Sequence, residues 1–131
     1  MKQLALYILL ILPYFVEGQN LKKLYDEAEL AFLHGDYTSA IEYYSDILSI
    51  EKNIPDVSIR LGIAYFHNLQ YNDAEYIFTE IVTKYSNTYP EAYLYLAEIQ
   101  TLFGNYSDSR YNYSIYIASH SKDTYMNAKA K

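Results

Sequence analysis

From Leu21 onward the apolar residues recur at helical spacing. Leu21, Leu24, Tyr25, Ala28, Ala31 and Phe32 fall at i, i+3, i+4, i+7, i+10 and i+11, one stripe of an α-helix. Tyr37, Ala40, Ile41, Tyr44, Ile47 and Leu48 form a second stripe. Between the two lies Leu33-His34-Gly35-Asp36. Gly35 can take positive φ and end the first helix, and Asp36 can cap the second. The pattern predicts helix, tight turn, antiparallel helix.

The pattern then repeats. Pro55 and Pro90 each open a further unit, at the first helical position, where a missing N–H has no partner to lose. The second unit carries Ile59, Gly62, Ile63, Tyr65 and Phe66, then Tyr71, Ala74, Phe78, Ile81 and Val82. The third carries Tyr93, Leu94, Leu96 and Ala97, then Tyr106, Ser109, Tyr113, Tyr116 and Ile117. Gly35-Asp36-Tyr37-Thr38-Ser39-Ala40 returns, altered, as Leu69-Gln70-Tyr71-Asn72-Asp73-Ala74 and as Gly104-Asn105-Tyr106-Ser107-Asp108-Ser109, at intervals of 34 and 35 residues. A unit of this size cannot bury its apolar face alone, so the units stack and form a curved surface.

Small residues recur where paired helices must approach: Ala28, Gly62 and Ala97 in the first helices, Ala40, Ala74 and Ser109 in the second. An aromatic follows the second set by four residues, as Tyr44, Phe78 and Tyr113. With units numbered from Leu21, Pro55 and Pro90, this spacing resembles the tetratricopeptide repeat family. The small residues match its positions 8 and 20, with Ser109 a departure, and the aromatics match position 24. The family's tyrosine at position 11 appears only as Tyr65, and Ile47, Ile81 and Tyr116 replace its alanine at position 27. The resemblance covers roughly residues 20–120. It implies an all-α fold, with antiparallel helix pairs stacked as a short right-handed solenoid of about three units.

The same resemblance implies a groove lined by the first helix of each unit. Positions 5, 9 and 12 fall on Tyr25, Glu29 and Phe32, on Ile59, Ile63 and Phe66, and on Leu94, Glu98 and Thr101, with His67 and Leu102 beside them. Such a groove is apolar and aromatic, with acidic points at Glu29 and Glu98. It suits a protein segment with apolar anchors and partly basic character. One subclass of the family holds C-terminal carboxylates through a clamp of Lys, Asn and Arg. This chain has Tyr25, Glu29, Glu91 and Tyr95 at those places, so that function does not carry over.

Composition narrows the reading. Apolar residues make up 51% of 131, enough for a packed core. The formal charge of −6, with no basic run, disfavours nucleic acid and anionic lipid. The absence of cysteine excludes disulfides, thiol catalysis and Cys-ligated zinc. Eighteen tyrosines accompany plentiful Asn, Ile and Lys, a balance that reads as coding bias before it reads as a tyrosine-lined site. At the start, Lys2 precedes Leu4 to Val16, which is uncharged and almost wholly apolar, and then Val16-Glu17-Gly18. This is the layout of a cleavable signal with cutting before Gln19, too short to span a membrane comfortably. Residues 1–18 are thus expected to be a signal peptide and 19–120 a three-unit domain, with units of about 21–54, 55–89 and 90–121. Residues 121–131 are expected to form a short tail or partial capping helix. The mature chain is expected in the periplasm or outside the cell, with no integral span after cleavage.

Chemistry of other kinds is not legible. His34, His67 and His120 are far apart and form no metal motif. There is no phosphate loop or nucleophile elbow, and no catalytic, metal or cofactor residue is assigned. The expectation is a non-enzymatic interaction module that holds a protein segment in its groove. The alternatives are a structural subunit that self-associates through its last helix, left short of a cap, and a glycan-binding module.

Overall fold

Six α-helices and no strand make up the described residues of the computed structural model, which are residue 18 and residues 20–129, with side chains at 87 and 122–129 left aside. The expected signal segment therefore lies outside the described residues but for Gly18, as do residues 130 and 131 of the expected tail. The helices are α1 (20–33), α2 (Tyr37–Ile50), α3 (Pro55–His67), α4 (Tyr71–Tyr85), α5 (Pro90–Leu102) and α6 (Tyr106–Lys129). A 3₁₀ turn at Ser86–Thr88 separates α4 from α5. The expected all-α solenoid of helix pairs is the observed fold.

Each pair is joined by the same turn. Asp36 N–H donates to Ala31 C=O, Gln70 N–H to Tyr65 C=O and Asn105 N–H to Gln100 C=O, at 2.9, 2.9 and 2.8 Å. This six-to-one bond closes a helix end through a residue in the left-handed region. Gly35 and Gly104 hold that place with φ of 75° and 78°. In the middle turn it is held by Leu69, at φ 63° and largely exposed. Asp36 caps α2 by accepting from Ser39 N–H at 3.2 Å, and hydrogen bonds from Ser39 keep its carboxyl below the usual range. Pro55 and Pro90 stand at the starts of α3 and α5 as expected.

Packing between helices follows the small residues. Ala28, Ala40, Ala74 and Ala97 are fully buried, and Ser109 nearly so. At Gly62 an added Cβ would lie 2.9 Å from the Phe78 ring and 3.1 Å from Ile77. One core joins Ala40, Tyr44 and Ile47 of the first unit to Val57, Leu61 and Ala64 of α3. A second joins Ala74, Phe78 and Ile81 to Ala92, Leu96 and Ile99 of α5. The back of each of the first two units is thus covered by the first helix of the next.

The third unit differs in two ways. Its own helices are joined by polar pairs at positions that hold Ala, Ile or aromatic residues in the first two units: Asn112 Nδ2 donates to Gln100 Oε1 at 2.8 Å, and the Thr101 and Ser109 hydroxyls lie 2.7 Å apart. In addition, residues 121–129 continue α6 rather than turning back as a separate capping helix. No Gly or Pro interrupts the chain after Gly104, so nothing local ends the helix.

Two substitutions test this packing, read as urea unfolding midpoints. Gly62→Ala should destabilise by up to about 2 kcal/mol, because overpacking costs about 1–3 kcal/mol and helix propensity returns only ~1. Leu69→Gly should stabilise by roughly 0.5–1 kcal/mol, since relief of about 1–2 kcal/mol of left-handed strain outweighs the added chain entropy of glycine.

Candidate functional site

The first helices α1, α3 and α5 present their residues along one side of the stack, and a hollow of about 440 Å³ opens there. Its walls are Tyr25 from α1, Asp56, Ile59, Arg60 and Ile63 from α3, and Glu91 from α5. Asp56 and Glu91 occupy the first turns of their helices, where the positive end of the helix dipole favours a carboxylate. Of the expected groove residues, Tyr25, Ile59 and Ile63 meet in this hollow. Ile59 is also a member of the second core, only 6% exposed, so it builds the wall more than it offers a contact.

Glu29 and Phe32 sit beside the hollow in a network that the sequence did not reveal. The Tyr44 hydroxyl donates to Glu29 Oε1 at 2.6 Å. Arg60 Nε stands 3.5 Å from the same oxygen, and the Arg60 guanidinium lies over the Phe32 ring at 5.1 Å. Burial, and then the bond to Glu29, raise the Tyr44 phenol well above the usual tyrosine range. Glu29 is therefore engaged within the protein instead of standing as a free acidic point. The other carboxylates are Glu91 and Asp56 in the hollow, Asp56 accepting from the Tyr89 hydroxyl, and Glu98 further along α5; with Arg60 paired the balance is acidic.

Aromatic rings continue the surface from unit to unit. Phe32 meets Tyr37 edge-on at 5.7 Å, and Tyr37 stacks on His67 at 5.0 Å. His67 meets Phe66 at 5.5 Å, Phe66 meets Tyr95 at 5.1 Å, and Tyr95 stacks on Phe78 at 5.0 Å with its plane nearly parallel. Burial, followed by the nearby Glu98 carboxylate, raises the Tyr95 phenol. Phe32, Phe66 and His67 are thus brought into one run of rings. Leu94 and Glu98 are half-buried on α5, and Leu102 is exposed at its end, away from the hollow walls.

Arg60 and Tyr95 hold the sixth position of their units and reach back onto the preceding unit. Their shared position in the repeat was the available signal, but the partner each one meets depends on how the units are rotated in the stack. Among the described residues no group of His, Asp and Glu gathers as a metal site, and no helix is long and apolar enough to cross a membrane.

The second unit, residues 56–88, matches the family model for the tetratricopeptide repeat. No curated protein matches the chain. Among solved structures it is similar to the Sgt2 TPR domain from Aspergillus fumigatus, with 22% identity, a TM-score of 0.68, and coverage of 78% of this chain and 67% of that one. It is similar to a chain of a CopN–Scc3 complex at 18% identity and TM-score 0.69, covering 77% of this chain and 59% of that one. It is also similar to the second TPR of Spaghetti (RPAP3) bound to the HSP90 peptide SRMEEVD. That pair shares 19% identity with a TM-score of 0.67, over 76% of this chain and 94% of that one. At these identities the likeness is one of fold.

Tyr44→Phe tests the network. Loss of a hydrogen bond to a charged acceptor should destabilise by about 1–2 kcal/mol. The raised phenol contributes stability that is complete below the unfolded tyrosine value of about 10 and is lost as pH rises toward the folded value. Wild-type melting temperature should therefore fall above about pH 10, and the Tyr44→Phe variant should show a shallower fall across the same range.

Proposed function

We propose that this protein is a non-enzymatic adaptor that holds a segment of another protein against the face formed by α1, α3 and α5. The observation that carries this reading is the hollow between Tyr25, Ile63 and Glu91, continuous with aromatic rings and acidic once Arg60 is paired with Glu29. Tetratricopeptide-type arrays are protein-interaction scaffolds, and their curvature offers an extended recognition surface. The neighbour bound to SRMEEVD holds a peptide rich in carboxylates. In this chain Asp56, Glu91 and Glu98 would repel such a peptide, so the segment it takes is apolar with Lys or Arg beside the anchors.

The reading extends to location. The charge and apolar pattern of residues 1–18 support export, with the segment removed and the adaptor working in the periplasm or outside the cell. The chain recovered from its own cells should begin at Gln19 by intact mass and N-terminal sequencing. A full-length chain retained inside the cell would overturn this part of the proposal.

Selection from a displayed library of random twelve-residue peptides tests the groove. Recovered peptides should combine aromatic or aliphatic anchors with Lys or Arg, and binding should weaken at higher salt. Tyr25→Asp should reduce affinity at least tenfold, and Glu91→Gln with Glu98→Gln about three- to tenfold, with the thermal midpoint little changed because all three side chains retain exposure. Selection of acidic peptides, or binding indifferent to these changes, would sink the reading.

A further inference from the structure

The repeat exposes a second surface, apart from the groove. Four positions on the back of each unit can be followed through all three copies. Tyr37, Tyr44, Ile47 and Leu48 are buried or half-buried beneath α3. Tyr71, Phe78, Ile81 and Val82 are covered in the same way by α5. Their counterparts on α6 are Tyr106, Tyr113, Tyr116 and Ile117. Tyr106 is 69% and Ile117 62% exposed, while Tyr113 and Tyr116 are half-buried. The face that accepts a helix twice within the molecule is presented a third time without one among the described residues.

What covers this face inside the molecule defines what fits it. α3 presents Val57, Leu61 and Ala64, and α5 presents Ala92, Leu96 and Ile99. Both follow the spacing i, i+4, i+7, with a small or β-branched residue first and leucine second. The small first residue lets the axes close onto a face that is itself made of large side chains. We infer that the α6 face docks an amphipathic helix of a partner protein with this pattern: Ala or Val, then Leu at i+4, then Ala or Ile at i+7.

A second copy fits less well in either arrangement. Head-to-tail stacking would bring up the corresponding positions of α1, which are Lys23, Glu27 and Leu30. Two charged side chains would then be set against tyrosine rings and lose water, where α3 and α5 present only apolar groups. Back-to-back pairing would oppose Tyr113, Tyr116 and Ile117 to themselves, with no small residue to admit close approach. The polar front and apolar back also limit growth into an open filament.

A helix-stabilised peptide with the sequence of residues 55–67 is the probe, its binding to the purified chain followed by fluorescence anisotropy. Saturable binding is expected, weakened at least tenfold by Ile117→Asp or Tyr106→Asp on the protein and by Leu61→Asp within the peptide. Tyr25→Asp in the groove should leave it unchanged, which separates this surface from the proposed adaptor groove. Both α6 substitutions fall on exposed side chains, and a retained thermal midpoint confirms folding. Absence of binding, or binding indifferent to Ile117→Asp, overturns the inference. So does a wild-type dimer in sedimentation that Ile117→Asp converts to monomer, because the face would then belong to a second copy.

Discussion

The close approach of Phe78 to Gly62 is the contact on which the array turns. An edge of the ring fills the space where any other residue would place a Cβ, and the ring's face stacks on Tyr95 of the next unit. One fully buried side chain thus sets the spacing within the middle pair and the docking of the third unit upon it. Tyr44 has the same place in the first unit. It adds a hydroxyl that reaches Glu29 within the same unit, and Arg60 of the second unit meets the same carboxylate, so the first junction carries a polar link that Phe78 cannot make. Interiors of this kind are packed too densely to absorb a change of one methyl group without a shift elsewhere.

The groove is a consequence of that spacing. Because α3 and α5 each sit on the back of the preceding pair, α1, α3 and α5 are brought to one side, where Tyr25, Ile59 and Ile63 wall the hollow. Arg60 then falls between Glu29 and Phe32, which removes one positive and one negative charge from the surface offered to a ligand. The remaining carboxylates near the hollow, Asp56 and Glu91, also serve the starts of α3 and α5. The acidic character of the groove is therefore coupled to the way the helices begin.

Much of this was legible in the sequence where the cause is local. Gly35, Asp36, Pro55 and Pro90 act through their own φ preferences and hydrogen-bonding groups, so their roles could be read without neighbours. Leu69 shows the limit of that logic. Its residue type argues against positive φ, yet two flanking helices packed in register impose the turn, and the periodicity rather than the residue marked the place. Ile59 is a limit of a different kind. A helix in a stack buries a stripe wide enough that a residue at its border belongs to the core and the groove at once. Glu29 was read as a free charge because its partners, Tyr44 and Arg60, come from two other helices.

By itself the sequence determined the helices, the three turns, the small residues at the helix crossings and the all-α repeat architecture. These follow from backbone preference and apolar period, which act over a few residues. Only the tertiary structure decided which charges are paired, which aromatic rings touch and which faces stay open. Those depend on the rotation between stacked units, a quantity set by many contacts at once: Arg60 meets Glu29 because α3 rests on the first pair at one angle. Tyr106 and Ile117 stay exposed because α5 packs on another face of α6 and no described helix covers this one.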